Sequence, residues 1–233
     1  MYNKKTFLAI IPARGGSKGI PHKNIINING RPLIDYTISA ASKSKYLDRI
    51  VVSTDCEKIS AIAKECGADV PFLRSKELAK DDSRTIDCVI NLIENIDQKY
   101  DYIVLLQPTQ PLRKSIHIDE AIELVMNEEY DESLVSVSKV AENPVLLRTI
   151  NEFNQIKKML NINSTIRRQD FPEFYKVNGS IYINRIDEKL NSETSFNDNT
   201  IPYIMDEQFD LDIDEPFDLE ILKLKLKLLR LGN

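Results

Sequence analysis

The sequence predicts an α/β fold: a mostly parallel sheet with helices on both faces, in one unit spanning residues 1–233. Three observations predict it. Strand-length apolar runs alternate with amphipathic helical patterns from residue 7 to residue 140, the rhythm of parallel strands joined by crossover helices. A glycine-rich basic loop follows directly on the first of these runs. The composition, 42% apolar and 29% charged over 233 residues, suits one α/β domain with a modest appendage.

Phe7–Ile11 reads as a buried strand bounded by Pro12. After the loop, Arg31 to about Ser44 reads as a helix with Pro32 in its first turn. Arg49–Ser53 is a second strand. Thr54 or Asp55 is placed to cap the next helix, which carries Ile59, Ile62, Ala63 and Cys66 on one face and ends at Gly67. Val70–Leu73 is expected as an edge strand because of Pro71. Residues 74–83 form a polar loop, with Ser83 as cap of a helix from Arg84 to about Asn95. Tyr102–Leu106 is a buried strand that ends at Gln107. A helix over 116–129 and a strand over 133–140 follow. Residues 141–176 break the rhythm and read as an excursion from the sheet, a candidate dimerisation arm or lid. Gly179–Ile183 returns to the sheet, an Asn/Asp/Ser-rich loop occupies 191–200, and a strand lies near Pro202–Met205. A terminal helix from Phe217 is expected to pack through Ile221, Leu224, Leu228 and Leu231.

The loop at 13–24 carries the chemistry. Three of the chain's seven glycines, Gly15, Gly16 and Gly19, lie there and let the backbone approach an anion closely. Arg14, Lys18 and Lys23 add cations suited to a triphosphate. The spacing matches neither the P-loop nor the dinucleotide fingerprint, and the competing reading is a solvated basic loop. Ligands of parallel sheets lie beyond the carboxyl ends of the strands, which gathers the 14–24 loop, the 53–55 turn, the 74–84 loop and Gln107 around one crevice.

A net charge of −5 argues against a general nucleic-acid binder. No apolar run approaches the roughly 18–20 residues of a membrane span. Residues 1–14 do not form a convincing signal peptide. Cys56, Cys66 and Cys88 lack metal spacing and read as reduced, partly buried residues. A cytoplasmic location is expected. His22 and His117 are the only histidines, and both read as structural, so no histidine general base is expected.

Six segments in order give the chain a resemblance to the acylneuraminate cytidylyltransferases, also called CMP-sialic acid synthetases. They are Ala13–Gly19 with Lys23-Asn24, Val52–Asp55, Leu105–Arg113, Arg168-Gln169, Asn178-Gly179 with Ile181–Ile183, and Asp210–Asp214. The resemblance covers residues 7 to about 222. It implies a Rossmann-like nucleotidyltransferase with a small dimerisation extension. It also implies cytidylyl transfer from CTP to a nine-carbon α-keto acid sugar, with Mg²⁺ and release of pyrophosphate.

On that resemblance the nucleotide side comprises Ala13, Arg14, Gly15, Ser17, Lys18, Lys23, Arg74, Ser83 and Asn178, with Asp82 and Thr85 nearby. Arg14 and Lys18 suit the β- and γ-phosphates. Asn178 either faces the nucleotide or caps a turn, while Gly179 permits a positive φ. Asp210 and Asp212 alternate on an extended segment and are expected to hold Mg²⁺, as one ion or two, with Asp210 also the candidate base. Asp214 ranks below them because it is placed to cap the terminal helix. Gln107, Arg168, Gln169 and Lys176 are expected on the sugar side, an Arg fork being the natural partner of the sugar's carboxylate. The excursion is expected to reach the neighbouring subunit's site in a homodimer. The rivals are a 3-deoxy-manno-octulosonate cytidylyltransferase, a sugar-1-phosphate nucleotidyltransferase and a non-catalytic nucleotide-binding homologue. Retention of Arg14, Lys18, Asp210 and Asp212 speaks against the last. Among N-acetylneuraminate, legionaminate and pseudaminate the sequence does not choose.

Overall fold

The computed structural model describes residues 1–127 and 133–231. The chain runs β1 (Phe7–Pro12), a small hairpin β2 (Asn27–Ile28) and β3 (Arg31–Pro32), α1 (Leu33–Ser42), β4 (Arg49–Ser53), α2 (Glu57–Glu65), α3 (Thr85–Asn95) and β5 (Tyr102–Leu105). It continues through α4 (Ser115–Asn127), β6 (Ser133–Lys139), the short β7 (Arg148–Ile150) and β8 (Ile156–Lys158), β9 (Tyr175–Arg185), β10 (Ile201–Met205) and α5 (Pro216–Leu231). The central sheet has the order β10-β6-β9-β5-β1-β4. β1 pairs in parallel with β4 and β5, and β6 in parallel with β10, whereas β9 runs antiparallel to both β5 and β6.

The period-2 geometry of β1 explains why both faces of the sheet are covered. Phe7, Ala9 and Ile11 point into a cluster with α1, α2 and α4, while Leu8 and Ile10 point into a second cluster with α3. A third cluster, built on Ile20, Leu33, Ile213 and Leu222, joins the glycine loop to the segment before α5. That cluster brings two distant parts of the sequence to the same end of the sheet.

Several expectations need correction. Val70–Leu73 forms no strand; a single bridge at Asp69 beside Val51 takes its place, since Pro71 offers no N–H to extend the ladder. Ser83 does not cap α3: its hydroxyl donates to the Glu77 carbonyl, and Arg84 occupies the cap position without a side-chain bond. Neither Thr54 nor Asp55 is the cap residue of α2; Cys56 is, with Thr54 Oγ1 accepting from its N–H. Asp214 does not cap α5 either. The Asp218 carboxylate accepts the N–H groups of Asp214 and Glu215 instead. The buried stripe of α5 is Leu219 and Leu222, with Leu226 and Leu229 beside them, while Leu224 and Leu228 face solvent. The alternating Leu/Lys composition of that helix offers two apolar stripes, and the third cluster selects one. The side chain of Leu231 and residue 129 lie outside the described residues.

Candidate active site

The carboxyl ends of β1 and β5 open onto a crevice of about 320 Å³ lined by Arg14, Ser17, Lys18, Lys23, Arg74 and Ser83, with Gln107 and Thr109 also in its wall. Ala13 and Gly15 stand behind this lining. The Ala13 N–H donates to the Ser53 carbonyl, and the Gly15 N–H donates to Asp55 Oδ1 at 2.9 Å, so that amide is engaged within the fold. Asn24, buried, fixes the loop by donating to the Arg14 carbonyl. Gly19 packs so closely that a Cβ there would collide with the Asp214 carbonyl oxygen.

The loop's cations are held differently. Lys23 is largely buried and donates to the Ile213 carbonyl and Asp214 Oδ1, at 2.7 and 2.9 Å. It tethers the loop to the aspartate segment. Arg14 and Lys18 converge on one carboxylate, with Nη1 2.8 Å from Asp81 Oδ1 and Nζ 2.7 Å from Asp81 Oδ2. The hydrogen bond from Lys18, reinforced by Arg14, holds the Asp81 carboxyl below the ordinary carboxylate range. Arg74 is buried, its backbone N–H on the Thr54 carbonyl and its Nη1 on Cys88 Sγ.

Opposite the loop, residues 210–212 form no ladder, and Ile213 N–H anchors the segment to the Thr109 carbonyl. Asp210 accepts from Ser138 Oγ at 2.6 Å and pairs with Lys176 Nζ at 2.9 Å. Lys225 of α5 secures the turn from beneath by donating to the carbonyls of Glu207, Gln208 and Asp210. Asp212 has surface open to solvent but stands in crowded surroundings. Desolvation, with the like charge of Asp214, raises its carboxyl pKa against the opposing effects of Thr109 and Lys23. Among the described residues no group of three or more His, Cys, Asp or Glu makes a metal cage. Two carboxylates, one of them incompletely neutralised, fit an ion that takes most of its ligands from phosphate oxygens and water.

A second chamber, of about 410 Å³, shares Thr85 and Gln107 with the crevice and is lined by Leu105, Tyr182, Phe196 and Asn197. Gly179, at φ 74°, has the positive φ expected of it; a Cβ there would lie 3.0 Å from Gln107 Oε1. Asn178 is buried in the β6–β9 irregularity, where its Oδ1 accepts from Ser136 Oγ and the Ser180 N–H. It stitches the strand rather than lining the crevice. Arg168 and Gln169 line a separate cavity of about 610 Å³ between the end of β6 and the excursion, with Lys139, Asn143 and Glu173. His117 is buried, accepts the Lys114 N–H and packs edge-on against Phe209; burial pulls its pKa down to about 4, leaving it neutral near pH 7.

Residues 8–230 match the family model for cytidylyltransferases. The chain is 39% identical over 216 residues to a CMP-N,N'-diacetyllegionaminic acid synthase of Legionella pneumophila, covering 91% of this chain and 92% of that protein. It is 37% identical to an N-acylneuraminate cytidylyltransferase of Streptococcus agalactiae, over 89% of this chain and 50% of that protein. The chain belongs to the acylneuraminate cytidylyltransferase family. It is therefore a nucleotidyltransferase. This cytidylyltransferase is also 34% identical to a pseudaminic acid cytidylyltransferase of Campylobacter jejuni, over 94% of this chain and 96% of that one. It spans about half the length of the streptococcal relative. Among solved structures, a CMP:2-keto-3-deoxy-manno-octonic acid synthetase complexed with CTP superposes with a TM-score of 0.72 at 15% identity, over 96% of this chain and 99% of that one, which shows the shared fold. Cytidylyltransferases generally work with a divalent metal ion. No helix among the described residues is long and apolar enough to cross a membrane.

Four residues of this cytidylyltransferase's site escaped the sequence reading. Asp81 belongs to a loop whose charges look solvated in sequence. Tyr182 and Phe196 are ordinary core aromatics until β9 and the 191–200 loop meet. Arg113, read only as part of a motif, is a buried strut that donates to the Ser180 carbonyl at 2.6 Å and Thr37 Oγ1 at 2.8 Å, with the Gln107 carbonyl at 3.5 Å. Burial lowers its pKa to about 9, so it remains a cation at neutral pH. The signal for it was a charged residue closing an otherwise apolar and Pro-rich run.

Proposed function

We propose that this cytidylyltransferase activates a nonulosonic acid by transferring CMP from CTP to a hydroxyl of the sugar. The hydroxyl oxygen bonds to the α-phosphorus, the α–β phosphoanhydride breaks, and pyrophosphate leaves with the electron pair. The observation that carries the reading is the convergence of Arg14, Lys18, Arg74 and Gln107 on one crevice whose wall includes Thr109, the residue that anchors the aspartate segment.

Arg14 and Lys18 neutralise the β- and γ-phosphates and carry the charge that develops on the leaving pyrophosphate. Arg74, with no carboxylate partner among the described residues, and the Ser83–Thr85 segment recognise the cytosine. Lys23 fixes the distance between the phosphate loop and the aspartates. Asp210 and Asp212 would hold Mg²⁺, which when bound neutralises the triphosphate and makes the sugar hydroxyl more acidic. The sugar ring occupies the chamber beside Gln107 and Tyr182. Asp210 accepts the hydroxyl proton, and Lys176, already beside it, moderates its charge. Arg113 holds the Gln107 segment against β9.

The reading includes a homodimer. Arg168 and Gln169 stand on the excursion away from their own crevice, and its Ile150, Phe153, Ile156 and Met159 are 61–73% exposed. An apolar arm of this kind fits against a second copy, where Arg168 meets the carboxylate of the neighbour's sugar. The chain is then one catalytic unit of residues 1–233 with 141–174 as its arm, the expected boundary at Lys176 falling inside β9.

The test offers CTP and Mg²⁺ with N-acetylneuraminate, legionaminate, pseudaminate or 3-deoxy-manno-octulosonate, singly, and follows CMP-sugar and pyrophosphate. Turnover with a nine-carbon acid is expected. Turnover with the eight-carbon acid alone, or with none, would overturn the assignment. The nine-carbon class is favoured by the 33–39% identity to synthases and cytidylyltransferases of legionaminic, pseudaminic and acylneuraminic acids.

A further inference from the structure

The two cations assigned to the triphosphate are not free. Arg14 and Lys18 arrive from one loop and Asp81 from another, 63 or more residues later, and the two Asp81 oxygens are divided between them, one each. This is the geometry in which a phosphate would bridge the same pair: two oxygens of one anion, each on its own cation. About half of the Asp81 side chain is exposed, so the carboxylate sits where an anion entering from solvent would arrive. No other acidic side chain is paired with Arg14 or Lys18 among the described ion pairs.

We propose that Asp81 is a specificity-determining residue of the nucleotide site, whose carboxylate holds the triphosphate's place on Arg14 and Lys18. The inference rests on the phosphate-binding role proposed above for these two cations. A carboxylate carries one negative charge. Inorganic phosphate, whose charge near neutral pH exceeds the carboxylate's only slightly, gains little by displacing it, whereas the tail of CTP, with its several charges on adjacent phosphates, gains enough to do so. CMP has no β- or γ-phosphate and does not compete with Asp81 at all. The exchange also acts in reverse. When pyrophosphate leaves, the carboxylate returns to cations that would otherwise retain the product.

The variant Asp81→Asn keeps the side chain's size and removes its charge, and the site's exposure makes it tolerant of the change. Binding is measured by calorimetry in metal-free buffer, so that the readout does not depend on turnover. CTP and pyrophosphate should bind the variant about three- to tenfold more tightly, the range set by losing two partly exposed ion pairs. CMP affinity should not change, and inorganic phosphate should become a measurable competitor of CTP. Unchanged or weakened CTP binding in Asp81→Asn would overturn the proposal, because Asp81 would then be neutral or a support for the cations. The controls Arg14→Ala and Lys18→Ala test the underlying reading separately: if both bind CTP like the parent, the phosphate assignment itself fails, whatever Asp81 does.

Discussion

The crevice proposed for the nucleotide is sunk into the sheet, whereas the arm of residues 141–174 stands off it. Leu8 and Ile10 beneath the crevice are fully buried, and the loop above them is pinned through Asn24, Lys23 and the close contact at Gly19. On the arm, β7 and β8 are three residues each and exposed throughout, with Phe153 between them 73% exposed. A hairpin of that size cannot bury its own apolar side chains. The contrast teaches where each half of the reaction gets its precision. On the proposed reading, the nucleotide half is positioned by this chain's core, and the sugar half is completed by the arm of a second copy.

The harshest way to break the contrast is to remove one of the two carboxylates proposed to hold the metal ion. Asp212→Ala is expected to lower kcat by about 10²–10³-fold or more while circular dichroism and the cooperative melt persist. Near-normal turnover would remove Asp212 from the metal site. Next in size is a test of sharing. Arg168→Ala and Asp212→Ala should each be inactive alone, and mixing them under exchange should restore about a quarter of wild-type sites, since half the dimers are mixed and one of their two sites is intact. No recovery in a confirmed mixed dimer would confine each site to one chain.

A pair of substitutions then separates core from arm. Gly19→Ala forces a Cβ onto the Asp214 carbonyl, so a stability loss of about 1–3 kcal/mol and a higher KM for CTP are expected in denaturant titrations and kinetics. Phe153→Ser should change monomer stability by no more than about 0.5 kcal/mol, yet shift the sedimentation coefficient toward the monomer. The smallest effect concerns pH. The pKa of Asp212 is raised in the folded state, so its ionised form costs stability above that pKa, and the cost fades as the pH falls through it. Asp212→Asn should therefore melt above the parent at neutral pH. The gap should close in the acid range just above ordinary carboxylate titration, and a gap independent of pH would show that ionisation of Asp212 is not its source.

Much of the nucleotide half was legible because its determinants are local. Phe7–Ile11, the glycines at 15–19 and Gln107 closing an apolar strand each announce themselves within a dozen residues. The Gly179 φ could be anticipated for the same reason. What escaped depends on partners far away in sequence. Ser83 was a sound cap by residue type, but the Glu77 carbonyl outcompetes the helix for its hydroxyl. The α5 stripe was misread because period alone cannot choose between Leu222 and Leu224; Ile20 and Ile213 make that choice. The direction of β9 was hidden too, since an apolar run carries no arrow. Arg14 and Lys18 were recognisable as cations for an anion, but their present partner, Asp81, lies on another loop.

The direction of β9 has an evolutionary consequence. The arm departs from the end of β6 and returns into β9, and these two strands are antiparallel neighbours, joined beyond the ladder by the Val140 N–H on the Phe174 carbonyl. Exit and return are thus about one strand spacing apart, roughly 4.8 Å. A segment inserted between such closely spaced points can lengthen, shorten or be exchanged at small entropic cost, because the sheet closes the gap whatever lies between. If the arm serves the sugar as proposed, the fold gives the acceptor side a replaceable cartridge that can change without disturbing the register of the central sheet.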